Sequence, residues 1–103
     1  MIVRVSMEAA QELEEAAAWY EAEAPGLGER LVDVFANAVQ LLQEPNPPLT
    51  PLVGEAGKLG AKRLILRRFP FPLITISTTA AIIVVAFAHH ARKPAYWRGR
   101  LSP

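Results

Sequence analysis

Residues 61–97, AKRLILRRFPFPLITISTTAAIIVVAFAHHARKPAYW, decide how this chain folds. Nothing between Phe69 and Ala88 carries a charge. Lys62, Arg63, Arg67 and Arg68 stand before that run, and His89, His90, Arg92 and Lys93 stand after it. Two breaks, Phe69-Pro70-Phe71-Pro72 and Ser77-Thr78-Thr79-Ala80, divide the stretch into three short apolar runs rich in β-branched residues. That pattern predicts a three-stranded antiparallel meander near 62–68, 73–77 and 81–89, with positive charge at its ends. The rival is one membrane-spanning helix, since twenty uncharged residues are long enough to cross a bilayer. Two prolines near the start and Ser/Thr in the middle favour strands with a turn, and the Leu-rich core of a membrane helix is missing. No membrane partner is expected.

Upstream, Ile2-Val3-Arg4-Val5 reads as an edge strand. Ser6 stands at a helix N-cap position, with Glu8 in the first turn where the helix dipole favours it. Ala10, Leu13, Ala17, Tyr20 and Ala24 recur at helical spacing and predict a helix over 7–24, leaving Glu12, Glu14, Glu15 and Glu21 on a solvated face. Pro25-Gly26-Leu27-Gly28 stops that helix. A second amphipathic helix follows over 28–44, with Leu31, Val34, Phe35, Ala38, Val39 and Leu42 on one side. So short a connection makes the two helices an antiparallel hairpin. Residues 45–60 hold four prolines and three glycines, and are read as loop without regular structure.

A chain of 103 residues makes one domain, spanning 1–103, with a modest core. It has no cysteine, so disulfide and thiolate chemistry are excluded and an intracellular home is natural. The apolar run at Met1 to Val5 is too short for a signal peptide. Charge is segregated. Ten acids against Arg4 and Arg30 give −8 over residues 1–57, and nine bases with no acid give +9 from Lys58 onward. The positive end suits nucleic acid or an acidic protein, unless opposite charges cancel between helices and sheet. The last strand is apolar on both faces, and two helices cover one face of a sheet. The other face then either meets a partner or is buried by the long loop and the C-terminal tail. In the tail, Pro94 and Tyr96-Trp97 predict a short helical turn packing aromatic rings on the sheet.

His89 and His90 are adjacent on a strand end and point to opposite faces, with no carboxylate nearby in sequence, so no metal and no cofactor are expected. One histidine as general base or acid, beside Arg92 as a phosphate-stabilising cation, suits metal-free RNA cleavage. The same residues suit simple phosphate contact, or a structural role with Arg92 paired to a helix carboxylate.

Ala17-Ala18-Trp19-Tyr20-Glu21, Pro25-Gly26-Leu27-Gly28-Glu29-Arg30, Arg67-Arg68-Phe69-Pro70-Phe71 and His89-x-x-Arg92-x-Pro94-x-x-Trp97 occur in the order and spacing of one family. In these motifs the chain resembles the RelE/ParE superfamily of type II toxin–antitoxin toxins, most closely the ParE branch (plasmid stabilisation proteins). The resemblance implies an α+β fold, β-α-α-β-β-β, with a helix hairpin packed on one face of a four-stranded, mostly antiparallel sheet. It implies a cytoplasmic toxin neutralised by a cognate antitoxin. ParE-like members inhibit DNA gyrase by binding, whereas RelE-like members are ribosome-dependent mRNA endoribonucleases without a metal. Pro72 stands where many relatives carry an arginine, and the middle strand lacks their tyrosine, which argues against RNA cleavage. The surface expected to meet target or antitoxin comprises Arg63, Arg67, Arg68, His89, Arg92 and Trp97. On the ribonuclease alternative, Arg92 would stabilise the phosphate and His89 or Tyr96 would handle the proton. A non-toxic, antitoxin-binding relic is a further alternative, and a homodimer is left open.

Overall fold

The computed structural model describes residues 2–66, 68–88 and 96–101. The elements are β1 (Ile2–Val5), α1 (Met7–Glu23), α2 (Leu27–Leu42), β2 (Thr50–Pro51), α3 (Gly54–Lys58), β3 (Lys62–Ile65), β4 (Pro72–Ser77), β5 (Ala81–Phe87) and a 3-10 turn (Arg98–Leu101). The strands form one sheet in the order β1-β5-β4-β3-β2. β1 lies parallel to β5 at one edge, and the other pairings are antiparallel. The fold class is the α+β arrangement that the family resemblance implied, with five strands among the described residues where four were expected.

Local chemistry sets the ends of each element. Ser6 caps α1, its hydroxyl accepting the Ala9 N–H at 3.1 Å, while its own N–H donates to Val84 O at 2.9 Å and ties the helix start to β5. At the other end of α1 the Glu21 carboxylate reaches over the connection and accepts the N–H groups of Gly26 (2.8 Å) and Gly28 (3.0 Å), so α1 caps α2. These bonds, the Gly26 one foremost, hold the Glu21 carboxyl below its ordinary pKa against a smaller upward push from desolvation. Gly28 lets the helices touch: a Cβ there would lie 2.3 Å from Ala17 O.

The helices pack on one face of the sheet. Leu31, Phe35, Ala38 and Leu42 of α2 and Ala9 and Ala16 of α1 meet Leu64, Leu66, Phe69, Phe71, Leu73, Ile82, Val84 and Phe87. Phe71 and Phe87 are fully buried, with ring centroids 5.0 Å apart, and Tyr20 stands edge-on to Phe69 and Phe71.

Three expectations are corrected. First, residues 45–60 do contain regular structure. Pro51 fits in β2 because an edge strand leaves its missing N–H unneeded, and Gly57 lets α3 fold back on Leu52, whose carbonyl oxygen would lie 1.8 Å from a Cβ there. Second, the buried stripe of α1 is turned from the expected one. Ala9, Glu12 and Ala16 are buried and Leu13, Ala17 and Tyr20 are half-covered, while Ala10 and Ala24 are exposed. Third, the strands end earlier than expected, β3 at Ile65 and β5 at Phe87. The far sheet face is covered, as the second of the two options had it. Ala56 of α3, together with Trp97 and Leu101, packs on Ala61, Ile74, Val85 and Ala86.

Candidate functional site

The site residues expected from the sequence divide three ways. Arg67, His89 and Arg92 lie outside the described residues. Arg63 is exposed on β3, opposite Thr50 of β2 and Ile74 of β4. Arg68 is exposed in the turn between β3 and β4, with φ at +72°. A left-handed conformation is costly for a residue with a Cβ, and such positions cluster where a side chain must be aimed. Tyr96 and Trp97 belong to the tail. Trp97 is only 6% exposed, so it is a core residue rather than part of a docking surface, in keeping with the packing role expected for the tail aromatics.

Arg68 stands at an open groove of about 730 Å3. One wall is α2, through Val34, Asn37, Ala38 and Leu41. The other is the β2–β3 edge of the sheet, with Pro48, Thr50 and Leu64 to Leu66. Leu41 and Ile65 are exposed there, at 41% and 62%. Among the described residues the groove is thus mainly apolar, with Arg68 as the cation that lines it. It suits an amphipathic segment that buries aliphatic side chains and brings a carboxylate to Arg68.

The second polar assembly was not foreseen. Glu12, placed on a solvated face by the sequence reading, is 9% exposed and sits under the tail. Its carboxylate accepts the Phe87 N–H at 3.1 Å, the Tyr96 hydroxyl, and Arg100 Nη1 at 2.9 Å. The Tyr96 hydroxyl also lies 3.2 Å from Phe87 O, and Arg100 Nη1 donates to Val85 O at 3.2 Å. The Arg100 guanidinium stands over the Tyr96 ring, 5.2 Å from its centroid. Burial works against the charge on Arg100, but the hydrogen bond and charge of Glu12 outweigh it, and the pKa of Arg100 is raised. The ribonuclease alternative asks Tyr96 to exchange a proton with substrate. Here its hydroxyl faces a buried carboxylate and a backbone carbonyl. One signal for Glu12 was present in the sequence: it lies three residues after Ala9 and four before Ala16, on a stripe as small-sided as the one chosen.

Among the described residues, the ion pairs from helix to basic half are Glu12–Arg100 and an exposed Glu55–Arg98 contact at 3.6 Å. Arg63 and Arg68 are exposed and belong to neither of these pairs. Among these residues no group of three or more His, Cys, Asp or Glu side chains is placed to hold a metal ion, and no helix is long and apolar enough to cross a membrane.

Comparison with known proteins bears on the fold. A chain of the chromosomal ParDE TA system from P. aeruginosa superposes with a TM-score of 0.73 at 20% sequence identity, over 86% of this chain and 95% of that one. No family model and no curated protein matches the sequence.

Proposed function

We propose that this protein is the toxin of a type II toxin–antitoxin pair, of the ParE branch, and that it acts by binding a target, DNA gyrase, rather than by cutting RNA. The observation that carries the reading is the fold shared with a chain of a ParDE system over 86% of this chain and 95% of that one. Two features of the chain support the non-enzymatic branch. Pro72 opens β4 where many relatives carry an arginine, and the Tyr96 hydroxyl is engaged with Glu12 and Phe87. The groove beside Arg68 is the seat we assign to the antitoxin. An acidic amphipathic segment would lay its apolar side on Val34, Leu41 and Ile65 and bring a carboxylate to Arg68. The exposed basic side chains, Arg63 among them, would face the target, with Arg67, His89 and Arg92 assigned to the same surface from sequence.

The test is induced expression in a bacterial host, with separate labelling of DNA and protein synthesis, beside a supercoiling assay on the purified protein. Early arrest of DNA synthesis and inhibition of gyrase without ribosomes are expected. Early arrest of translation, with mRNA cleaved only when ribosomes are present, would overturn the reading in favour of the ribonuclease. Tight antitoxin binding with no growth defect would make the chain a relic.

A further inference from the structure

The two edges of the sheet are built differently. β2 is two residues long and contains Pro51, and a short edge with a proline resists pairing with another strand. β1 has neither device. Its four residues pair with β5 in unbroken register, from Ile2 beside Ala81 to Val5 beside Val84, without a bulge or a proline. Ser6 N–H donates to Val84 O, so Ile2 and Arg4, in step with Ser6, turn their backbone groups to β5. Those of Val3 and Val5 point to the other side, where the described residues supply no strand. Ile2, Val5 and Met7 also leave large parts of their side chains in water, at 61%, 37% and 76% exposed. A regular, apolar, unguarded edge of this kind is a template for one more strand.

We infer that the added strand is β1 of a second copy of this chain, antiparallel about a twofold axis at Val3, so that two sheets become one. Charge and register choose this occupant. The segment 2–8 carries Arg4 and Glu8, one charge of each sign. It therefore does not repel its own copy and offers an acidic segment no net attraction, unlike the groove at Arg68. Val3 packs on the helix side of the sheet, which puts Ile2 and Arg4 on the far side. Residues opposite each other across an antiparallel pair share a face, so a twofold axis must pass between one residue and its own copy. An axis at Arg4 sets two guanidinium groups against each other. An axis at Val5 drives the strand into Met7, where α1 begins. An axis at Ile2 leaves Arg4 and Val5 unpaired. With the axis at Val3, each Val3 N–H donates to the partner's Val3 O, and each Ile2 lies opposite the partner's Arg4. The contact is small, so the dimer is weak and forms at micromolar concentrations and above. The pairing needs neither antitoxin nor gyrase and stands apart from the function proposed above.

Analytical ultracentrifugation of the purified full chain reads the monomer–dimer equilibrium across a dilution series, and circular dichroism checks the fold. A concentration-dependent dimer is expected. Val3→Pro removes the amide that donates across the axis but none that β5 needs, and should give a monomer with unchanged helix content. Ile2, exposed and opposite the partner's Arg4, tests the register without touching the core. Ile2→Glu creates two opposite-charge pairs per dimer and should lower the dissociation constant about 2- to 30-fold, an effect that fades in high salt, while Ile2→Lys should raise it. The two Ile2 variants decide the matter should Val3→Pro not fold. A protein that stays monomeric throughout the series would overturn the inference, and protection of the Val3 and Val5 amides from hydrogen exchange only once antitoxin is added would give the edge to an antitoxin strand instead. Equal effects of Ile2→Glu and Ile2→Lys would overturn the axis at Val3. A dimer indifferent to all three substitutions would place the interface elsewhere and overturn the pairing of β1 with its copy.

Discussion

Replacing Gly28 with alanine sets two physical effects against each other. Gly28 lies within α2, where alanine is favoured over glycine by about 1 kcal/mol on propensity alone. A Cβ at this position, however, would sit 2.3 Å from Ala17 O and 3.0 Å from Glu21 Cβ. Ordinary carbon–oxygen contacts are near 3.3 Å, so α1 and α2 must separate by about 1 Å at their closest point. Overpacking of this kind costs about 1–3 kcal/mol, and the shift also strains the Gly28 N–H bond to Glu21. The backbone oxygen is not the end of a flexible side chain and has no easy way to move aside. The net expectation is destabilisation by about 1–2 kcal/mol, which is a Tm lowered by roughly 4–16 °C in a domain of this size. Gly99→Ala is the control, since nothing lies within 4 Å of its added methyl, and it should change stability by less than about 0.5 kcal/mol. Thermal unfolding followed by circular dichroism reads both variants. A Gly28→Ala protein as stable as the parent, or more so, would refute the claim that the hairpin is held in contact at this point.

Other predictions follow from the same geometry. Arg68→Gly should stabilise the domain by about 0.5–1 kcal/mol by relieving a left-handed residue, and should weaken antitoxin capture measured by calorimetry; unchanged affinity would detach Arg68 from the groove's role. Phe71→Ala empties a fully buried ring position and should cost about 3–5 kcal/mol in urea unfolding. Glu21 has its pKa lowered in the folded state, so its contribution is complete above the ordinary value of 4.5 and is lost as pH falls through the lowered one. The gap in unfolding midpoint between wild type and Glu21→Gln should accordingly close as the solution is acidified past 4.5, and a constant gap would deny the cap.

Much of the fold was legible because local chemistry and pattern agreed. Ser6, the Pro25 to Gly28 connection and the two breaks of the meander each state a boundary in residues whose backbone preferences are strong. What escaped notice depended on distant partners. In an alanine-rich helix the stripes through Ala9 and Ala10 are nearly equal in hydropathy, and only β5 and the tail decide between them. Glu12 therefore read as surface, although Tyr96 and Arg100, 84 and 88 positions away, bury it. β2 and α3 were missed because proline and glycine signal breaks, whereas here a sheet edge tolerates Pro51 and a tight return requires Gly57. Of the candidate surface, Arg63 and Arg68 were legible as exposed because charged residues flanking an apolar strand rarely turn inward. The groove beside Arg68 was not, since it arises from the distance between α2 and the sheet edge, which no local pattern encodes.

The pairing of the first strand with the last has a consequence for how the chain is made. Among the described residues β1 pairs with β5 alone, Ser6 bonds Val85 across 79 positions, and Glu12 bonds Arg100 across 88. Contacts of such sequence separation cannot form until β5 and the 96–101 turn have left the ribosome. A helix hairpin synthesised early must wait, its apolar side uncovered, until the meander is complete. The sheet is thus completed once β5 and the 96–101 turn have been made. Nascent chains halted before Ala81 should remain open to protease, and to any partner that recognises the uncovered helices.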